Sequence, residues 1–203
     1  MQNSKAKWAI LTILVAFVAA MALGEDVDTD RFHVTFPDWC GQINKTEQNV
    51  NSPSGPIEQV TYRGTVKGGA ACIVTFSQLK ATINDPMAMM KSGRDSLLNA
   101  LKAKLENEND TKIAGQPGMT LLYSATSQRP IFARTDLVVR DKRMYQIIFI
   151  GFSQDQRTKA ESSPLFNSFS LKAVPKEEAK TATKAAAPPA PATTTNPVDP
   201  NKQ

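Results

Sequence analysis

Apolar and polar residues alternate in Phe32-His-Val-Thr-Phe36 and stop at Pro37, the pattern of a half-buried strand. Pro53, Gly55 and Pro56 mark a turn, and residues 57–66 read as a second strand. Gly68-Gly69 then reverses the chain into a third strand over 70–79, making a hairpin. Cys72, Val74 and Phe76 take one face of that strand and Ala71, Ile73 and Leu79 the other, so both faces are expected to be covered.

The clearest helix opens at Asp85-Pro86, where Asp85 caps free amides and Pro86 needs no donor. Leu97, Leu98, Leu101 and Leu105 recur at helical spacing and predict one apolar stripe. Met87, Met89 and Met90 at its start are read as core packing rather than as an adaptable binding patch. Strands are expected over 120–126, 131–140 and 143–152, the last two joined at Asp141-Lys142 as the hairpin at the centre of the sheet. A short helix over 163–168 would dock Leu165, Phe166 and Phe169. The fold class is therefore α+β, an antiparallel sheet flanked by helices on its faces.

At the N-terminus, Lys5 and Lys7 precede an apolar run over 8–23 that ends in small residues, the order of a secretory signal. Residues 1–24 read as that signal, with Ala22 and Gly24 suiting a peptidase that accepts small side chains and cleavage after Ala22 as second choice. The run falls short of the roughly 20 apolar residues a spanning helix needs. Cleavage is expected to leave no stable membrane insertion, a tether by an uncleaved signal being the alternative. No cysteine sits at the cleavage site to carry a lipid. The product is expected to be periplasmic or secreted.

Residues 25–30 form an acidic mature N-terminus, 31–173 a single domain, and 174–203 an Ala/Pro/Thr/Lys-rich tail of the composition that stays disordered. The 203-residue chain carries a net charge of +5, spread thinly, and no basic run suggests nucleic acid binding. A monomer is expected.

Cys40 and Cys72 are expected to pair, because pairing is the default in an oxidising compartment. A thiol using His33 as its base is the sharper alternative. His33 is the single histidine, which excludes metal sites and triads needing two, and it reads as a sheet residue. Asp26, Asp28 and Asp30 alternate as calcium ligands do, but Arg31 stands where such a loop needs glycine. Glu106, Glu108 and Asp110 read as a polar loop after the helix. Neither a metal nor a cofactor is expected.

Arg134, Asp136 and Arg140 alternate onto one face of a strand with Phe132 and Val138, a weak candidate for binding an anionic group, set against a salt-bridged sheet surface. Asn44-Lys-Thr46 and Asn109-Asp-Thr111 are glycosylation sequons, relevant only in a eukaryotic source.

Phe32-His-Val-Thr-Phe-Pro37, Ile113-Ala-Gly-Gln-Pro-Gly118, Arg140-Asp-Lys-Arg-Met-Tyr-Gln146 and Phe166-Asn-Ser-Phe-Ser-Leu171 occur in an order that resembles exported bacterial proteins of unassigned role with a PsbP-like fold. The resemblance spans about residues 31–172 and implies an α/β/α sandwich used as a scaffold for docking to other proteins. No functional residue of PsbP itself, an extrinsic subunit of photosystem II, matches a position here. Two functions are carried forward: a non-enzymatic docking module of the cell envelope with a protein partner, and a small-anion binder or weak hydrolase working around Arg134 and Arg140.

Overall fold

The computed structural model describes residues 24–52, 55–80, 83–126 and 128–173. The expected signal over 1–24, apart from Gly24, and the expected tail over 174–203 lie outside the described residues. Strands β1 (Glu25–Asp28) and β2 (Phe32–Phe36) pair antiparallel through a turn that Thr29 closes. Its hydroxyl oxygen accepts from the backbone amides of Arg31 and Phe32. The acidic segment is thus not merely a solvated N-terminus, because Val27 is buried where β1 meets the core.

Beyond a 3-10 turn at Asp38–Cys40 come β3 (Ile43–Ser52), β4 (Gly55–Thr65) and β5 (Ala71–Gln78), an antiparallel meander. Gly68 and Gly69 carry the chain from β4 to β5 with φ of 93° and 96°, a conformation that a Cβ disfavours. β3 was not expected. Its sequence, INKTEQNVNS, has almost no apolar alternation because it is an edge strand. It is specified by its pairing to β4 rather than by burial.

Helix α1 (Pro86–Leu101) starts as expected, with the Asp85 carboxylate accepting from the Ala88 amide at 2.9 Å. It stops one turn earlier than its leucine pattern predicts, at Lys102 in the left-handed region. Leu105 therefore belongs to β6 (Lys104–Ile113), although it still packs against the core beneath the helix. Glu106, Glu108 and Asp110 lie on this strand and not in a loop.

Strands β7 (Gln116–Thr126), β8 (Pro130–Arg140) and β9 (Arg143–Gly151) complete a second meander. Two short helices, α2 (Gln154–Glu161) and α3 (Pro164–Asn167), and strand β10 (Ser170–Leu171) follow. Helix α2 had no apolar stripe to announce it. Its N-terminus is set by Ser153, whose hydroxyl accepts from the Gln156 amide, and only Arg157 and Ala160 of its residues are buried.

The large sheet has seven strands in the order β3-β4-β5-β9-β8-β7-β6, joined in the middle where β5 pairs with β9. The expected hairpin β8–β9 does lie at its centre. A second sheet of three strands, β1-β2-β10, has β2 in the middle. The molecule is α+β in the coarse sense, mostly antiparallel sheet with few helices.

The two faces of the large sheet are covered differently. Met119, Leu121, Tyr123, Ala133, Leu137 and Val139 form one core with Met90 of α1. The expected helix layer is present there, and Met90 is wholly buried, with Met87 and Met89 partly so. On the other face, Cys72, Val74, Phe76, Tyr145, Ile147 and Phe149 pack against Phe32, Val34 and Phe36 of the small sheet and Leu165, Phe166 and Phe169. The expected helix layer is present on that face too, since α2 lies against β8 and β9, but it shares the face with the small sheet, where the alternating apolar side of β2 offers a flat surface to a flat surface. Phe32 is the hub, with ring centroids 5.7 Å from Tyr62, 6.1 Å from Tyr145 and 5.8 Å from Phe169. Such aromatic pairs contribute about 0.5–1.5 kcal/mol each beyond burial.

Cys40 and Cys72 form a disulfide with Cα atoms 6.0 Å apart. Both are completely buried, and the bond ties the 3-10 turn that follows β2 of the small sheet to β5 of the large one.

Candidate functional site

Alternation along β8 puts Arg134, Asp136 and Arg140 on the face that meets the small sheet. Asp136 is buried, and Arg134 grips it twice, Nε to Oδ1 at 3.0 Å and Nη2 to Oδ2 at 2.9 Å. The Thr120 hydroxyl donates to the same carboxylate at 2.9 Å. The guanidinium also lies over the Phe166 ring at 4.1 Å and reaches the Glu161 carbonyl oxygen at 3.5 Å. Arg134 thereby ties both short helices to the sheet.

Arg140 works six residues further along the strand, about 20 Å away at strand rise. Its Nη1 donates to the Lys172 carbonyl oxygen at 3.1 Å, and its Nε faces Asp141 at 3.5 Å. The structure joins Arg134 with Asp136 but does not bring Arg140 to them. The pair of arginines is arranged to hold chain segments together rather than to converge on one small anion.

A charged network that the sequence did not reveal surrounds Arg157 on α2. This side chain is only 5% exposed, yet it bonds to Glu106 at 2.6 Å, faces Glu161 at 3.4 Å and donates to Gln154 at 2.7 Å. Glu106 comes within reach because the register of β6 shifts between Leu105 and Asn107, leaving it unpaired in a bulge that re-aims its side chain. The Ser124 hydroxyl, then Arg157, hold the Glu106 carboxyl below the ordinary glutamate range. The sequence carried one clue, an arginine inside an otherwise unremarkable polar stretch, and nothing to connect it with an acid 51 residues away. On the same strand as Glu106, Arg94 Nη1 donates to both carboxylate oxygens of Glu108, at 2.8 and 2.6 Å.

His33 sits on β2, with its Nδ1 3.5 Å from Asp28. The disulfide and this placement leave no thiol for it to activate. Lys172 binds Asp28 at 2.7 Å and, as the leading cause, lowers its carboxyl pKa. Asp26 instead accepts from the Thr35 hydroxyl at 2.6 Å, so the alternating aspartates face different partners. Among the described residues no group of three metal-ligating side chains comes together. No described helix is long and apolar enough to cross a membrane.

A groove of about 340 Å³ opens between the β1–β2 turn and the outer strands of the large sheet. Val60, Tyr62 and Phe76 form its apolar part, and Asp28, Thr29, Asp30 and Arg31 of the turn make one wall. Lys45 and Glu47 of β3 and Glu58 of β4 complete the rim. The cross-strand register explains this grouping: Lys45 stands opposite Tyr62, Glu47 opposite Val60, and Val60 opposite Phe76, all on one face. Arg31 stacks on the Phe76 ring at 4.8 Å with Asp30 3.6 Å away. Lys45 bonds Glu47 at 2.5 Å and approaches the Tyr62 ring at 6.0 Å. Sequence reasoning missed this site because its parts come from four strands, two of them, β1 and β3, unexpected.

No family model matches the chain, and no curated protein matches it either. Among solved structures, a crystal structure of the protein of unknown function PA94 from Pseudomonas aeruginosa is similar at 17% identity and a TM-score of 0.33. The likeness covers 78% of this chain and 92% of that one.

Proposed function

We propose that the chain is an exported, non-enzymatic docking module of the bacterial cell envelope, built on a PsbP-like framework and binding another protein. The observation that carries this reading is the open, charged groove beside a sheet edge that no described strand pairs with, a surface suited to an extended partner segment rather than to a small molecule. Export is supported by the signal-like N-terminus and by a buried disulfide, which persists in oxidising compartments. The arginines first considered for anion binding hold the protein's own carboxylate and carbonyl groups, which favours the docking reading over the anion-binding one.

The test is native mass spectrometry of the full-length gene product, purified gently from its own cell envelope. A co-purifying protein at stoichiometric ratio is expected. A bound small molecule that disappears in an Arg134→Ala/Arg140→Ala variant would overturn the reading in favour of a ligand-binding protein.

A further inference from the structure

Four carboxylates line the groove, from Asp28, Asp30, Glu47 and Glu58, against two cations, Arg31 and Lys45. Asp28 is paired with Lys172 outside the lining, Asp30 with Arg31 and Glu47 with Lys45, so the acidic excess beside the aromatic surface is the carboxylate of Glu58. Its own cations already show the binding chemistry, each laid toward an aromatic ring with a carboxylate at its side. Glu58 stands apart, with no hydrogen bond or ion pair to any described residue, on the rim beside Val60.

The shape of a guest follows from the sheet. β3 is the terminal strand of the seven, ten residues long, and no described strand pairs with its outer edge, where the Ile43 amide donates to the Glu25 carboxylate at 3.2 Å. An extended segment laid along an open edge pairs through its backbone and sends alternate side chains to one face. On β3 that face is the one bearing Lys45 and Glu47 and looking into the groove.

We propose that β3 and the groove together bind an extended, basic segment of a partner protein, whose backbone pairs with β3 and whose alternate lysine or arginine side chains enter beside Glu47 and Glu58. This rests on the docking reading above and names the surface and the chemistry it recognises. The recognition is electrostatic and depends on ionic strength, because the rim carboxylates are solvent-exposed.

The experiment uses the full chain and a fluorescently labelled eight-residue peptide of alternating lysine and threonine. A glutamate–threonine peptide, free lysine and spermidine serve as comparisons. Anisotropy is expected to show binding of the lysine peptide alone, weakened by salt and weakened roughly tenfold in the Glu47→Gln/Glu58→Gln variant. Both substitutions are isosteric and lie on the surface, and an unchanged urea midpoint checks that the fold is intact. Hydrogen exchange should slow at β3 amides when the peptide binds. Equal binding of the two peptides, an undiminished affinity in the double variant, or no protection of β3 overturns the proposal. Tight binding of spermidine or free lysine without β3 protection overturns it in favour of a small-amine site. The docking reading fails separately: if the double variant still captures the envelope partner, the module survives and only this surface is wrong.

Discussion

Reducing the Cys40–Cys72 bond should cost most of the stability that one covalent link can supply here. The bond closes a loop of 32 residues in sequence separation. In the chain-entropy model a loop of that length lowers the free energy of folding by about 3–4 kcal/mol, through restriction of the unfolded chain. Both sulfurs are buried between the 3-10 turn and β5, so the reduced thiols remain packed and the folded contacts change little. With a urea dependence of about 2 kcal/mol/M for a domain of this size, the midpoint should fall by roughly 1.5–2 M. The assay is equilibrium urea unfolding of oxidised protein and of protein unfolded, reduced and refolded with a thiol present. Tryptophan fluorescence follows the transition because Trp39 lies next to Cys40 and against Phe149. A rise in the urea dependence on reduction is also expected, since the freed chain exposes more surface. A midpoint shift below about 0.3 M, with fully reduced thiols, would refute the reasoning and show that the core alone holds the two sheets together.

Three other outcomes follow from the packing. The folded-state pKa of Glu106 is depressed, so as pH falls the unfolded chain takes up the proton first; the stability it adds is full above the ordinary glutamate range and drains away below it. Urea midpoints measured down through acid pH should show this loss, and Glu106→Gln should flatten it. Arg157→Ala should destabilise by about 3 kcal/mol by breaking a pair at a nearly buried guanidinium, and adding Glu106→Ala should cost much less than the separate effects combined. Gly64→Ala should destabilise by about 1–3 kcal/mol in thermal or urea unfolding, because its Cβ would lie 2.5 Å from the Cys40 carbonyl oxygen and 2.7 Å from Ile43 Cδ1.

The strands easiest to read in the sequence were those with one or both faces buried. β2 shows alternation because Phe32, Val34 and Phe36 all enter the core while His33 and Thr35 do not. β9 reads as a strand for the same reason, with every second residue from Arg143 to Gly151 buried. β3 and β6 were missed or taken as loop because edge strands of polar composition carry no burial pattern, and hydrogen bonding to a neighbour is invisible in a single sequence. The end of α1 was misplaced because Leu105 fits both a helical stripe and an inward-facing strand position. Helix stop and strand start compete there, and the left-handed Lys102 decides.

Of the candidate residues, the Cys40–Cys72 pair and the shared face of Arg134 and Asp136 were legible, the first from the expectation of an oxidising compartment and the second from the period of a strand. The groove was not, nor was the Arg157–Glu106 pair. By itself the sequence determined where its composition changes, which of the strongly patterned strands and helices have a buried side, and that pairing was the default for its two cysteines. Those are local properties, set by period, capping and composition. Only the tertiary structure decided that the second face is shared between the small sheet and two short helices, that the arginines are spent on the protein's own groups, and that Arg31, Lys45, Glu47 and Glu58 share a rim. Those facts depend on strand order and register, which long-range pairing sets and local pattern leaves open.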